Sequence, residues 1–166
     1  MIDGPLSVER VMVQRDRIMV LVRVPEGPAA HLTEAQRDYL LSVRPRLARH
    51  ACINAQGQPF GAIMAETSLP HVLEHLIIDF QAELSRGAVS RSFANAVSAD
   101  KSDGTSTADA QSGRTRSPLT FVGTTEWLSE REGLARIEVN FTDDLIALDA
   151  LKRACALLDE GMVATL

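Results

Sequence analysis

The chain has 166 residues, 45% of them apolar and 23% charged, and a formal net charge of −5, the balance of one soluble globular domain long enough to bury a core without disulfide or metal staples. An acidic balance with one Trp, one Tyr and five Phe excludes a basic, aromatic-lined nucleic-acid groove. No apolar run approaches the roughly 20 residues of a membrane span, no charged and then apolar leader opens the sequence, and Cys52 and Cys155 make no disulfide framework, so a cytoplasmic protein is expected.

Residues 8–24 read as two strands around Arg15 and Asp16, with Val11 and Val13, then Ile18, Val20, Val22 and Val24, alternating with other residues. Residues 18–22 are too uniformly apolar for an exposed edge, which puts the second strand in the middle of its sheet. Residues 25–28, with two prolines and a glycine, end it. Thr33 with Gln36 three residues on is a capping-box signature, opening a helix through Tyr39, Leu40 and Val43. Pro45 stops or kinks that helix, since it has no amide to donate. Residues 56–59 read as a turn and 60–64 as a short strand or loop.

A helix over about residues 68–84 follows, with Thr67 or Ser68 as its N-cap and Pro70 in its first turn. Leu69, Val72, Leu73, Leu76, Ile77, Phe80 and Leu84 form one broad apolar stripe. Residues 86–118 are mostly Ser, Ala, Asp, Gly and Thr, with almost no large apolar side chains after Phe93 and Val97. Such a segment buries too little to offset its ordering entropy, so a flexible insertion with solvated arginines is expected. A strand near residues 119–122 comes next, then one in which Ile137, Val139 and Phe141 alternate with Arg136, Glu138 and Asn140. Thr142, Asp143 and Asp144 cap a last helix, whose buried stripe is Leu148, Leu151, Cys155, Leu158 and Met162, with Gly161 at its C-terminal cap. Cys155 is thus expected as a small core residue. Helices and strands mix without strict βαβ alternation. The expected fold is α+β, a largely antiparallel sheet with about three helices packed on it and the long insertion over 86–118, in a single domain spanning 1–166.

The chemistry concentrates in His71-Val72-Leu73-Glu74-His75, which reads H-x-x-E-H, the inverted zinc-hydrolase signature. On a helix the two imidazoles stand one turn apart on one face, where both can reach one zinc ion. Glu74, on the flank of that face, is placed to take a proton from a water that the ion activates. The apolar stripe is centred opposite His71 and His75, so the pair lies on a solvated face or lines a cleft; Ile78 and Ala82 along the same row favour the cleft.

Taken in order, four segments resemble the N-terminal domain of cyanophycin synthetase: the helix-to-His50-x-Cys52 segment, the stretch holding Gly57 and Gly61, the helix beginning His71-Val72-x-Glu74-His75, and the apolar strand through Ile137 and Phe141 that feeds the last helix. The resemblance covers most of the chain outside 86–118, and only H-V-x-E-H is specific. It departs at His50-Ala51-Cys52-Ile53, where the family shows His-Arg-Cys-Ser, and at Asn140-Phe141, where the family's strand often ends Glu-Tyr. Full-length relatives add ligase domains and build an Asp–Arg polymer. The resemblance does not extend to those domains, and with no G-x-x-x-x-G-K-[ST] loop in the chain an ATP-dependent ligase is not expected. It implies instead a domain that docks the polymer or hydrolyses it, with His71 and His75 as metal ligands and Glu74 as general base. A catalytic zinc needs a third protein ligand; His50 is the first candidate, Glu138 the second and Cys52 the third. His31 is expected in a loop. Pitrilysin-type peptidases and S-ribosylhomocysteinase resemble the pentapeptide alone. Two readings follow: a zinc-dependent hydrolase of peptide or amide bonds, with a peptide-like substrate or polymer as partner, and a module that binds such a polymer without chemistry.

Overall fold

The computed structural model describes residues 5–25, 27–53, 57–99 and 120–164, with the backbone alone at 29 and 89–99. Strands β1 (Ser7–Val13) and β2 (Arg17–Arg23) form one hairpin, and β3 (Gly123–Ser129) and β4 (Leu134–Asn140) another. The hairpins join through β2 and β4 into an antiparallel sheet of order β1-β2-β4-β3, so the uniformly apolar strand is indeed internal. Register pairs Ile18 with Val139, Val20 with Ile137 and Val22 with Ala135. All six are fully buried on one face, because alternation along a pleated strand sends every second side chain to the same side. On the other face Glu138 sits between Arg17 and Arg136, 3.2 Å from each, and Arg136 reaches Glu126 at 3.0 Å. The strand expected near residues 119–122 begins instead at Gly123, where pairing with β4 begins. β1 is an edge strand with Val8, Val11 and Val13 exposed, and a bulge between Val8 and Arg10 breaks its pairing, one of the devices that keep sheet edges from templating other chains.

Helix α1 (Glu34–Val43) opens on the predicted capping box: Thr33 Oγ1 accepts from the Gln36 amide at 3.2 Å, and Gln36 Oε1 accepts from the Thr33 amide at 2.7 Å. Arg44 ends it, and Pro45–Arg49 continues as a 3-10 turn. Residues 60–64, expected as strand or loop, hold the single helical turn α2 (Phe60–Ile63). Phe60 and Met64 are fully buried while Ala62 points out, a spacing that a helical turn satisfies and a strand does not. Gly61 brings this turn against the 3-10 segment, for a Cβ there would lie 2.6 Å from Ala48 Cα.

Helix α3 (Leu69–Ala99) starts one residue after Ser68 and runs well past Leu84. No proline interrupts residues 85–99, and their alanines and arginines favour helix, so the first part of the segment expected to be flexible is helical; residues 100–118 lie outside the described residues. Every residue from 72 to 77 is buried, since the sheet and α4 cover one side of α3 and the 3-10 segment lies against it as well.

Helix α4 (Asp144–Val163) is capped by Asp143, whose Oδ1 accepts from the Ile146 amide at 3.0 Å. Its buried ridge is Ala147, Ala150, Leu151, Ala154, Leu157, Leu158 and Gly161, rotated from the predicted stripe toward the small residues; Leu148, Cys155 and Met162 flank it, partly buried. Gly161 lies inside the helix rather than at its cap, where its missing side chain makes room for Tyr39 and Leu40 of α1, and Ala164 is the cap. Burial, with Asp159 nearby, pushes the Cys155 thiol up to about 11. Among the described residues no helix is long and apolar enough to cross a membrane.

Replacing Gly61 by Ala forces α2 off Ala48, and such overpacking costs about 1–3 kcal/mol. Urea unfolding of Gly61→Ala against the parent chain measures that loss.

Candidate metal centre

The first turns of α3 form one wall of a cleft of about 740 Å³, whose lining includes Cys52, His71, Glu74, His75, Val122 and Trp127. The face that carries His71 and His75 therefore lines a cleft. Each side chain is held from a different segment. Thr67 Oγ1 lies 2.7 Å from His71 Nδ1, which leaves Nε2 of that ring facing Cys52 Sγ at 3.5 Å. Phe60 stacks on His75 with ring centroids 3.7 Å apart and planes at 15°. His75 Nδ1 is 3.3 Å from His50 Nδ1, and His50 Nε2 is 3.3 Å from Asp79 Oδ1. Arg44 Nε donates to Asp79 Oδ2 at 2.6 Å, and its guanidinium lies over the Phe80 ring.

Glu74 turns toward the sheet. Thr125 Oγ1 donates to its Oε2 at 2.6 Å. Gly123 makes room for it, since a Cβ there would lie 2.7 Å from Glu74 Cγ and 2.8 Å from Oε1. Register explains the pairing of these groups. Gly123 and Thr125 lie opposite Val139 and Ile137 on β4, and so project from the same buried face toward α3.

Burial governs the electrostatics. It lowers the pKa of His71, and it pushes His75 down to about 3, with the neighbouring His71 and His50 adding to the effect. Both imidazoles are therefore neutral near pH 7, the form that binds metals. Burial raises the Glu74 carboxyl, and the Thr125 hydroxyl opposes it in part. For Asp79, burial acts upward, but the hydrogen bonds from His50 and Arg44 and the Arg44 charge outweigh it and hold the carboxyl below its ordinary range.

One ligand atom each of Cys52, His71 and His75 lie within 4.8 Å of one another. Around a tetrahedral zinc, nitrogen and sulfur ligands stand about 3.3–3.6 Å apart, and the His71–Cys52 pair already has that spacing. These three donors, with a cleft beside them, could hold a metal ion. The structure brings the rings of His71 and His75 together, their centroids 5.0 Å apart. His50 stands differently from the expectation, since its two nitrogens meet His75 and Asp79 and the third donor is Cys52. Glu138 is spent on Arg17 and Arg136 on the far face of the sheet. His31 Nδ1 meets the Thr67 carbonyl at 2.9 Å, beside an isolated bridge to Ser68. Asn140 fastens the cleft wall, its Oδ1 accepting from the Val122 amide at 2.7 Å and its Nδ2 donating to the Thr120 carbonyl at 3.3 Å.

Sequence reading missed Thr67, Thr125, Gly123, Arg44 and Asp79. Asp79 had a signal, for it stands four residues after His75 as His75 does after His71. Thr67 likewise precedes His71 by four residues, and the other three come from segments whose approach only the fold reveals. Neither a family model, nor a curated protein, nor a solved structure matches this chain.

Thr125→Val keeps the side chain's shape but leaves the Glu74 carboxylate without its donor, a loss of about 1–3 kcal/mol. Glu74's pKa is raised in the folded state, so folding disfavours its ionised form as pH rises, and the variant widens that penalty. The deficit is accordingly full at pH 8 and is lost as pH falls through the raised folded-state pKa, where the carboxyl is protonated in both chains. Unfolding curves of both chains at pH 4 and pH 8 check the sign.

Proposed function

We propose that the chain is a metal-dependent hydrolase of peptide or amide bonds, with Cys52, His71 and His75 as ligands and Glu74 as general base. The observation that carries the reading is the gathering of these three donors beside a cleft that Glu74 also lines. When bound, a zinc-type ion supplies Lewis acidity, polarising a carbonyl and making water a nucleophile near neutral pH. The chain's own residues do the rest. His71 and His75 are neutral by burial and offer lone pairs without a proton to displace. Glu74 Oε2 is held by Thr125, which leaves Oε1 to take the water's proton and pass it to the leaving amine. A carboxyl raised by burial suits that task, since a base works best when its pKa approaches the working pH. The cleft's apolar rim, with Val122 and Trp127, suits a peptide-like chain. The resemblance to the cyanophycin synthetase N-terminal domain points to an Asp–Arg polymer as that chain.

The second reading is a module that binds such a polymer without chemistry. Asn140 favours it: where the resembling family often has Glu, this residue spends its amide on the cleft wall.

Elemental analysis of the purified, untagged protein tests the first step, with about one zinc-type ion per chain expected and loss of it in Cys52→Ala and in His71→Ala/His75→Ala. Glu74→Gln separates the two readings, since it should keep the ion and any polymer binding while peptide hydrolysis falls at least about 100-fold. Full hydrolytic activity in Glu74→Gln would overturn the general-base assignment.

A further inference from the structure

We propose that His50 and Asp79 are positioning residues of this centre, forming a buried Asp79–His50–His75 relay that presents the His75 Nε2 lone pair to Cys52 and His71. The inference rests on the metal-centre reading and adds to it the residues that orient one ligand. It follows from proton accounting along three contacts. Asp79 is a carboxylate, paired through Oδ2 with Arg44, so its Oδ1 only accepts; His50 Nε2, 3.3 Å away, must therefore carry the proton. His75 offers Nε2 to an ion only when its own ring proton sits on Nδ1. His50 Nδ1 lies 3.3 Å from His75 Nδ1, and two nitrogens at that distance need one donor and one acceptor. Nδ1 of His75 is then the donor, and its Nε2 is left with the lone pair. A metal-ligating histidine commonly gives its second N–H to a carboxylate or carbonyl, which fixes its tautomer and ring angle. Here an intervening imidazole extends that arrangement by one residue.

The surroundings favour positioning over a plain ion pair. The side chains of Asp79, Arg44 and His50 are 3%, 11% and 17% exposed, so little water competes for these bonds. Phe60 stacked on the His75 ring removes its freedom to tilt, and the His50 contact sets its rotation within that plane. Arg44 binds Glu83 as well, at 2.6 Å, which anchors the charged end of the relay at two successive turns of α3. His71 reaches the same end by a shorter route, its Nδ1 held by the Thr67 hydroxyl.

The test titrates the whole chain with Zn²⁺ against a chromophoric chelator and records the visible spectrum of the Co²⁺ form. His50→Leu, which breaks the relay, should weaken Zn²⁺ binding about 10- to 100-fold and shift the cobalt bands. His50→Gln should restore most of both, because its amide oxygen accepts from His75 Nδ1–H and its amide nitrogen donates to Asp79. Circular dichroism confirms folding, and should His50→Leu fail to fold, His50→Asn takes its place, being polar but too short to span both partners. Equal affinity and an unchanged spectrum in the relay-breaking variant overturn the relay and leave the centre standing. Equal weakening in that variant and His50→Gln also overturns it, as a role in packing alone. No Zn²⁺ binding by the parent chain removes centre and relay together.

Discussion

A helix buried on every side must satisfy the polar groups it carries inside, and that constraint organises this molecule. Residues 72–77 of α3 are buried throughout, yet Glu74 and His75 are among them and Asp79 follows one turn later. Leaving one such group without a partner costs about 1–3 kcal/mol, more if it is charged. Each therefore draws a partner from elsewhere: Thr125 from β3, His50 from the end of the 3-10 segment, Arg44 from the end of α1. The same bonds that make burial tolerable bind the outlying segments to the central helix. The cleft exists because those segments are held near α3 by polar side chains and do not close over it as a continuous apolar core.

Charge is distributed with the same economy. Asp79 and Arg44 neutralise each other at one end of the cluster, and burial keeps the imidazoles at the other end uncharged. A dication entering among neutral nitrogens and a thiol meets no fixed cation in the triad to repel it. The carboxylate of Glu74 is turned toward Thr125 on β3, and Gly123 provides the space that keeps it there.

What the sequence disclosed and what it hid divide along physical lines. Local signals were readable: the Thr33–Gln36 box, the uniform apolar run of β2, the start of α3 after Ser68, and the one-turn spacing of His71 and His75 all act within a few residues. Readings that required knowledge of a distant neighbour went astray. Gly161 suited a helix end by itself, but its smallness serves Tyr39 and Leu40 from another helix. Phe60 and Met64 fit a strand as well as a turn until their shared burial beneath the 3-10 segment decided it. His50 looked the better ligand than Cys52 by residue type alone. What residue type could not show is that the outer nitrogen of His50 meets Asp79, 29 residues away in the chain.

The two cysteines end in different surroundings. Cys155, raised to about 11 by its surroundings, has almost no thiolate near neutral pH. Cys52 stands in the cleft wall against His71. An alkylating reagent applied near neutral pH therefore spares the first, so an adduct found on the chain reports on the second. An adduct on Cys52 would mark the wall of the cleft itself, with no substrate and no engineered label.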